Sequence, residues 1–241
     1  MNQIITFTNM MGIEEIFPPE PASKNIPSWY KDLESYMGGE KKPSGNGNTT
    51  GTIKRCMPVF DVINAGYIIK TPADVYVSQR EIFDENENSL GKKPWYEWAN
   101  FSLIEFHPVE QAPNHPNRNG HEVSYPKWIN PWAIKTPPGY SVLFTQPFHR
   151  ESSFTILPGI VDTDTYSAAV NFPFVLNDIN FEGLIPAGTP IAQAIPFLRE
   201  DWQMSIGKQE DLVETNKITT RLRTRFFDSY KVQYRQTKEY R

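Results

Sequence analysis

Side chains that could do chemistry crowd into one stretch of the chain, Pro158-Gly159-Ile160-Val161-Asp162-Thr163-Asp164-Thr165-Tyr166. Asp162 and Asp164 are acids two residues apart, and a threonine hydroxyl follows each. The same run suits a β-turn, because Asp and Thr side chains satisfy backbone groups there by Asx-type and hydroxyl hydrogen bonds. A structural use is therefore expected beside any catalytic one. His107, His115 and His121 lie near Glu110 and Glu122, and divalent metals do take imidazole and carboxylate ligands. Yet Pro108, Pro113, Asn114, Pro116, Asn117, Asn119 and Gly120 surround them, with no His-x-His or His-Glu-x-x-His spacing. A long solvated loop is expected and no metal site. Cys56 follows Arg55, a cation that favours thiolate, but a buried structural cysteine is the expectation. No serine elbow, P-loop or dinucleotide Gly-x-Gly-x-x-Gly is present.

The other chemistry-bearing region is basic and aromatic. From Lys217 to Arg241 eight basic residues stand against Asp228 and Glu239, so this segment carries +6 and the rest −10 of a net charge of −4. Arg221, Arg223 and Arg225, with Phe226, Phe227, Tyr230, Tyr234 and Tyr240 after them, could bind nucleic acid by phosphate contacts and base stacking. Docking on the acidic remainder of this chain or of a neighbouring subunit is the preferred reading. The net charge argues against a polyanion binder as a whole. A single cysteine excludes an internal disulfide and a Cys-rich zinc site. The N-terminus lacks a basic region followed by a long apolar one. No run approaches the roughly 18 apolar residues of a membrane span. A soluble protein without a membrane partner, cytoplasmic (in the host cytoplasm if viral), is expected.

These residues must be positioned by short strands. The 241 residues include 21 prolines, about 9% against a usual level of about 5%, and proline breaks helix interiors. Strands are expected over 52–56, 59–63, 66–70, 73–77, 101–106, 132–135, 140–145, 153–157, 168–172, 183–185 and 190–197, each rich in β-branched or aromatic residues and bounded by turn formers. Ile4, Ile5 and Phe7 begin like another strand, and 26–33 reads as a short helix with Trp29 and Leu33 on one face. Gly38 to Asn48 has the composition of a linker. Proline vanishes after Pro196, and Phe227, Tyr230, Tyr234 and Lys238 fall at helical spacing. The expected organisation is an N-terminal arm (1–51), a central all-β domain (52–200) and a basic C-terminal helix or tail (201–241).

Three segments in order, Pro137-Pro138-Gly139-Tyr140-Ser141-Val142, the Pro158-to-Tyr166 stretch, and Gly183-Leu184-Ile185-Pro186-Ala187-Gly188-Thr189-Pro190-Ile191-Ala192-Gln193, resemble the motifs of the dUTPase and dCTP-deaminase superfamily. That resemblance covers about a quarter of the chain. It implies a distorted β-barrel, assembled as a trimer. It implies that Asp162 matches the aspartate that positions the attacking water and Tyr166 the tyrosine stacked on deoxyribose. Ser141 matches a phosphate-loop serine. Asp164 and Gln193 join them as ligand-binding candidates, and Gly188, Ile191 and Ala192 complete the later strand. The family pattern is also broken. Val142 replaces the second phosphate-loop serine, and Tyr166 is one residue too far from Asp162. Ile68 follows Ala65-Gly66-Tyr67 where a metal-linked aspartate belongs, and no glycine-rich C-terminal motif exists. Asn171-Phe172-Pro173-Phe174 offers no general-base glutamate for a deaminase.

The whole chain is similar to uncharacterised proteins of tailed phages, cyanophages especially, and of marine bacteria. Ile26-Pro27-Ser28-Trp29-Tyr30-Lys31, Ile129-Asn130-Pro131-Trp132 and Lys135-Thr136-Pro137-Pro138-Gly139-Tyr140-Ser141 carry that likeness. The expectation is an all-β protein, dUTPase-like barrel first and jelly-roll sandwich second. It is expected to act as a non-catalytic binding or assembly protein of phage type and as a homo-oligomer, without cofactor. The alternative is a nucleotide-directed hydrolase or deaminase using Asp162, Ser141 and Tyr166, with Mg as its ion. Convergence of Ser141 and an arginine such as Arg199 beside Asp162 would favour an anion site.

Overall fold

The structure, a computed structural model, describes residues 3–12, 17–42, 50–99, 102–111, 124–224 and 228–241. Its secondary structure is mainly β. The chain divides into two compact units, 1–21 with 66–199, and 22–65 with 200–241.

The first unit holds the strands. In chain order they are β1 (Thr6–Asn9), β2 (Glu20–Pro21), β3 (Tyr67–Lys70), β4 (Val75–Phe83), β5 (Ser89–Trp98), β6 (Ile104–Pro108) and β7 (Ser124–Trp128). They continue as β8 (Trp132–Lys135), β9 (Tyr140–Thr145), β10 (Phe154–Ile156), β11 (Gly159–Val161), β12 (Phe172–Leu176), β13 (Gly183–Ile185) and β14 (Pro190–Leu198). All pairings are antiparallel. The sheets run β11-β9-β14-β3-β2, β10-β12-β7-β6, β13-β4-β5 and β1-β8. Their inner faces share one apolar core that includes Ile69, Val75, Ile104, Trp128, Phe144, Phe154, Phe174 and Ile191. Trp128 stacks on Phe174 with ring centroids 4.9 Å apart. In β9 Val142 and Phe144 enter the core while Leu143 and Thr145 between and after them are half-buried, and Ser141 is buried as well.

Gly66 has a role that no other residue could fill. Its φ is +67°, and a Cβ there would lie 2.0 Å from the Ala194 carbonyl oxygen in β14. Only glycine allows this conformation and this approach. The next strand, β3, can then pair with β14 from Ala194 back to Pro190.

Prolines do not merely border the strands. Pro126, Pro173 and Pro196 lie inside β7, β12 and β14. Pro126 stands opposite Phe106 and Pro196 opposite Val142, each paired on one side only, while Pro173 stands opposite Lys127 and its carbonyl accepts from the Leu157 N–H at 2.7 Å on its other side. At Pro126 and Pro196 the missing N–H thus costs no ladder bond on a second side.

The second unit is helical. It contains α1 (Ser28–Asp32), α2 (Met57–Ile63), α3 (Leu212–Thr224) and α4 (Ser229–Gln233). Residues 53–55 form a short 3-10 turn and 57–63 the helix α2, where strands were expected. Pro58 explains the difference. It lies in the first turn, where its fixed φ is pre-set for helix and its missing N–H is not needed. In α1 the buried residue is Tyr30, while Trp29 is exposed. The Tyr30 hydroxyl donates to the Lys54 carbonyl at 3.2 Å. Lys54 Nζ donates to the carbonyls of Lys31 and Leu33 at 2.7 and 2.8 Å, a cation on the exposed acceptors of a helix C-terminus. The expected linker lies in part outside the described residues. Its flanks meet, with the Met37 N–H donating to the Thr50 carbonyl at 2.7 Å.

Where a basic C-terminal helix or tail was expected, the described residues hold two helices, α3 and α4. Asp228, with φ +61°, interrupts the spacing before α4, and Lys238 lies beyond α4 without helical structure.

Candidate functional site

Three neighbouring strands bring the candidate residues together. Central β9 starts with Tyr140 and Ser141; its neighbour β11 ends at Val161, opposite Val142; its other neighbour β14 ends at Leu198, opposite Tyr140. Asp162 therefore follows one flanking strand and Arg199 the other, at the end of the sheet where Ser141 lies. Gly139, with φ +86°, turns the chain into β9.

The turn after β11 is tight. The Thr165 and Tyr166 N–H groups donate to the Asp162 carbonyl at 3.1 and 2.8 Å, and the Thr165 hydroxyl donates to it at 3.1 Å. Thr163 points inward, is fully buried, and shares a 2.7 Å hydroxyl pair with Thr136. Thr165 thus makes the hydroxyl bond expected in a turn, whereas the Asp162 and Asp164 carboxylates bond Ser141, Gly139 and Arg199 in a charged cluster.

Arg199 is the hub of that cluster. Its Nη1 donates to Asp164 Oδ1 at 2.9 Å, Ser141 Oγ at 3.0 Å, the Tyr140 carbonyl at 3.1 Å and Asp162 Oδ1 at 3.2 Å. Its Nη2 donates to Asp164 Oδ2. Ser141 Oγ donates to Asp162 Oδ1 at 2.6 Å. The Gly139 N–H donates to Asp164 Oδ2 at 2.8 Å, and the Arg199 N–H to the Gly139 carbonyl at 2.8 Å. The Arg199 guanidinium and the Gly139 N–H hold the Asp164 carboxyl down to about 2. Hydrogen bonding to Asp164 raises Arg199 in turn.

The two aspartates differ in access. The Asp164 side chain is 7% exposed and Asp162 61%. Asp164 is consumed by bonds within the cluster. Asp162 keeps an oxygen at the surface, and Tyr166 is exposed after it. One guanidinium facing two carboxylates leaves the cluster at −1. An incoming phosphate would meet net negative charge and a serine hydroxyl already committed to Asp162.

Gln193 is not part of this group. It is buried in β14 opposite Thr145, and its Oε1 accepts from the Phe148 N–H at 3.1 Å. Thr145 is four residues from Ser141 along β9, about 13 Å of strand. Gln193 ties a loop to the sheet.

The remaining candidates sit elsewhere. His115, His121 and Glu122 lie outside the described residues, and His107 Nδ1 contacts Gln111 Oε1. Among the described residues no three His, Cys, Asp or Glu side chains could hold a metal together. At the position of the family's metal-linked aspartate, Ile68 is fully buried in β3. It offers no oxygen, so the residues present do not fit a Mg ion there. Cys56 is exposed, contrary to expectation, because it precedes the first turn of α2 rather than standing in a strand. Arg221 is exposed on α3, whereas the Arg223 side chain and all of Arg225 lie outside the described residues. No helix among the described residues is long and apolar enough to cross a membrane.

Motif reading missed a second ion cluster, in the helical unit. Asp61 on α2 accepts from Arg235 Nη2 at 2.7 Å, Arg235 Nε at 3.0 Å and Lys238 Nζ at 3.1 Å. The Arg235 guanidinium also lies 5.5 Å from the Phe60 ring centroid, within range of a cation–π contact. Burial raises the Asp61 carboxyl, but the hydrogen bonds from Arg235 and Lys238 outweigh it and leave Asp61 below its ordinary value. The partners are 174 and 177 residues apart, so no local pattern could have paired them.

No family model and no curated protein matches the chain. Among solved structures it is similar to the dUTPase of phage phi11 of S. aureus, at 12% identity and TM-score 0.34 over 86% of this chain and 97% of that one. It is similar to a mutant of the phi11 enzyme, described for coordination of a structural Mg(II) ion, at 11% identity and TM-score 0.37 over 86% and 97% of the two chains. It is also similar to the dUTPase of Staphylococcus bacteriophage 80alpha, at 12% identity and TM-score 0.35 over the same shares.

Proposed function

We propose that this chain is a non-catalytic binding or assembly protein of phage type on a dUTPase-like β fold, working as a homo-oligomer, with a trimer as its first form. The observation that carries the reading is the closed state of the Asp162 cluster. Arg199, the cation that would have favoured an anion site, directs Nη1 and Nη2 to Asp164, Asp162, Ser141 and Tyr140. A phosphate would have to displace two carboxylates from a guanidinium, an exchange of charge-assisted bonds with no net gain. Gln193 holds a loop by its hydrogen bond from Phe148, and Ile68 serves packing.

The competing reading is a hydrolase or deaminase with Asp162 as the water-positioning group. Its supports are the convergence of Ser141 and Arg199 beside Asp162 and the exposure of Asp162 and Tyr166 at the same turn. Incubation with dUTP, dCTP and other deoxynucleoside triphosphates plus magnesium separates the two. We expect neither pyrophosphate nor ammonia above the rate without protein. Release that disappears in Asp162→Asn would overturn the proposal. As a phage-type protein it would act in the host cytoplasm.

A further inference from the structure

The β13-β4-β5 sheet turns one face away from the core. Its pairing sets Leu184 opposite Tyr76 and Tyr76 opposite Glu97, a row of neighbours on one face. Val75, Val77 and Tyr96, on the other face, enter the core, while Tyr76, Glu97 and Leu184 are exposed. Further along the outer face, the Arg80 guanidinium lies 4.1 Å from the Trp95 ring centroid. Arg80 Nη2 donates to Glu97 Oε1 at 2.6 Å.

Where β4 begins and β5 and β13 finish, this row opens into a cleft of about 600 Å³. Asp74, Tyr76, Glu97, Leu184, Ala187 and the half-buried Trp98 line it. Two turns fix its rim. Asp74 Oδ1 accepts from the Ala187 N–H at 2.7 Å, and the Gly188 N–H donates to the Thr71 carbonyl at 2.9 Å. The lining carries two carboxylates and, among the described residues, no cation. Arg80 reaches Glu97 from the side. Asp74 Oδ2 and Glu97 Oε2 are left without a partner among the described residues. The unit that holds the cleft, 1–21 with 66–199, has 17 acidic and 9 basic residues, a net −8. Such a field draws cations.

We propose that this cleft binds a linear polyamine, with ammonium groups on the Asp74 and Glu97 carboxylates and the methylene chain on Tyr76, Trp98 and Leu184. The site lies on a different sheet from the Asp162 cluster, and it goes beyond the reading above. Its volume and make-up, apolar walls with a few placed polar groups, are those of a small-molecule site. A primary ammonium brings N–H donors, which the two open carboxylate oxygens accept as charge-assisted bonds. Ring faces attract the same cation. A quaternary ammonium has no N–H to give and is held by an aromatic cage, which two rings in an open cleft do not close. An anion would meet only carboxylates.

Isothermal titration of the full chain with spermidine at fixed ionic strength tests this. Saturable binding at one site per chain is expected, with a dissociation constant below about 1 mM. Asp74→Asn and Glu97→Gln should each raise it about tenfold, the scale of one hydrogen bond to a charged group. Each amide keeps an acceptor for the Ala187 N–H or for Arg80, so the fold is retained. Tyr76→Ser, at an exposed position, should raise it about threefold, the scale of an exposed cation–π contact. Glu110→Gln removes the charge of an exposed acid outside the cleft and should leave binding unchanged. No saturable binding below about 1 mM, or binding indifferent to Asp74→Asn and Glu97→Gln, overturns the proposal. An equal loss in Glu110→Gln, or displacement by magnesium at comparable concentration, would reduce the effect to diffuse attraction and overturn it too. Choline binding as tightly as spermidine would overturn the ligand class. Light scattering that shows copies associating, and loosening in Tyr76→Ser, would give the cleft to a second chain and overturn it as well.

Discussion

In the β unit one guanidinium, Arg199, serves two carboxylates; in the helical unit one carboxylate, Asp61, serves two cations, Arg235 and Lys238. The first cluster is −1 and the second +1. Each is built of the same groups at similar distances, so hydrogen bonding alone does not distinguish them. What differs is what the surplus charge can do. The acid-rich cluster repels the phosphate that its motif likeness implies. The base-rich cluster secures the tail of the helical unit to α2, and its surplus cation, Lys238, lies at the surface. The +6 segment therefore spends part of its charge inside its own unit, which supports docking over nucleic-acid binding.

The largest expected effect concerns what sets the geometry of the acid-rich cluster. If strand packing places Arg199, the backbone of β14 should matter more than any charge. Gly66→Ala drives a Cβ into the Ala194 carbonyl and strains a positive φ. We expect a loss of about 3 kcal/mol or more in urea unfolding. A loss below about 1 kcal/mol would show that β14 can shift freely, and the placement of Arg199 would then owe more to its ion pairs.

Next comes the helical unit. Asp61→Asn leaves Arg235 and Lys238 facing a neutral amide in a half-buried setting. A loss of about 2 kcal/mol is expected, below that for a fully buried pair. Cleavage by trypsin at Lys231, Arg235 and Lys238 should speed up in the same variant. Unchanged cleavage would mean that Asp61 does not hold the tail, and the contrast between the clusters would lose its second term.

These predictions rest on residues of unequal legibility. The strands expected over 140–145 and 190–197 were readable because short apolar runs containing Val142, Phe144, Ile191 and Ile195 stand between turn formers. Strand β5 was hidden by Gly91, Lys92, Lys93 and Pro94, residues that suit an edge and hide a strand in propensity. Helix α2 looked like a strand because Val59, Phe60, Val62 and Ile63 outweighed a proline that was in fact a helix starter. In the candidate site, Ser141, Asp162 and Asp164 were found by motif order, and Arg199 by the need for a cation nearby. Motif order also promoted Gln193, whose side chain serves a loop. The Asp61 cluster was invisible, since pairing across 174 residues is made by the fold and leaves no local trace.

Acid titration probes the first cluster more gently. Asp164 has its folded value held down to about 2, against an ordinary value near 3.9. A depressed carboxyl adds stability that is complete above the unfolded value and is lost as pH falls toward the folded one. Stability should therefore decline between about pH 4 and pH 2, and Asp164→Asn should flatten that limb. If the limb is equally steep in Asp164→Asn, other carboxylates carry it, and the Arg199 contact is weaker than its geometry.

The smallest effect is expected at Asp162, and it bears most on function. Its carboxyl is mostly in water, and exposed ion pairs contribute about 0 to 1 kcal/mol. Asp162→Asn should change the melting midpoint little, because Asp164 keeps both terminal guanidinium nitrogens, Nη1 and Nη2, occupied. It should also move the cluster from −1 to 0. If charge is what keeps anions away, inorganic phosphate should bind the variant more tightly than the wild type, as read by isothermal titration. Equal and negligible binding would mean that Arg199 is sealed by geometry as well as by charge. Tighter binding by the wild type would require Asp162 itself to assist the anion, and the acid-rich cluster would then be a site after all.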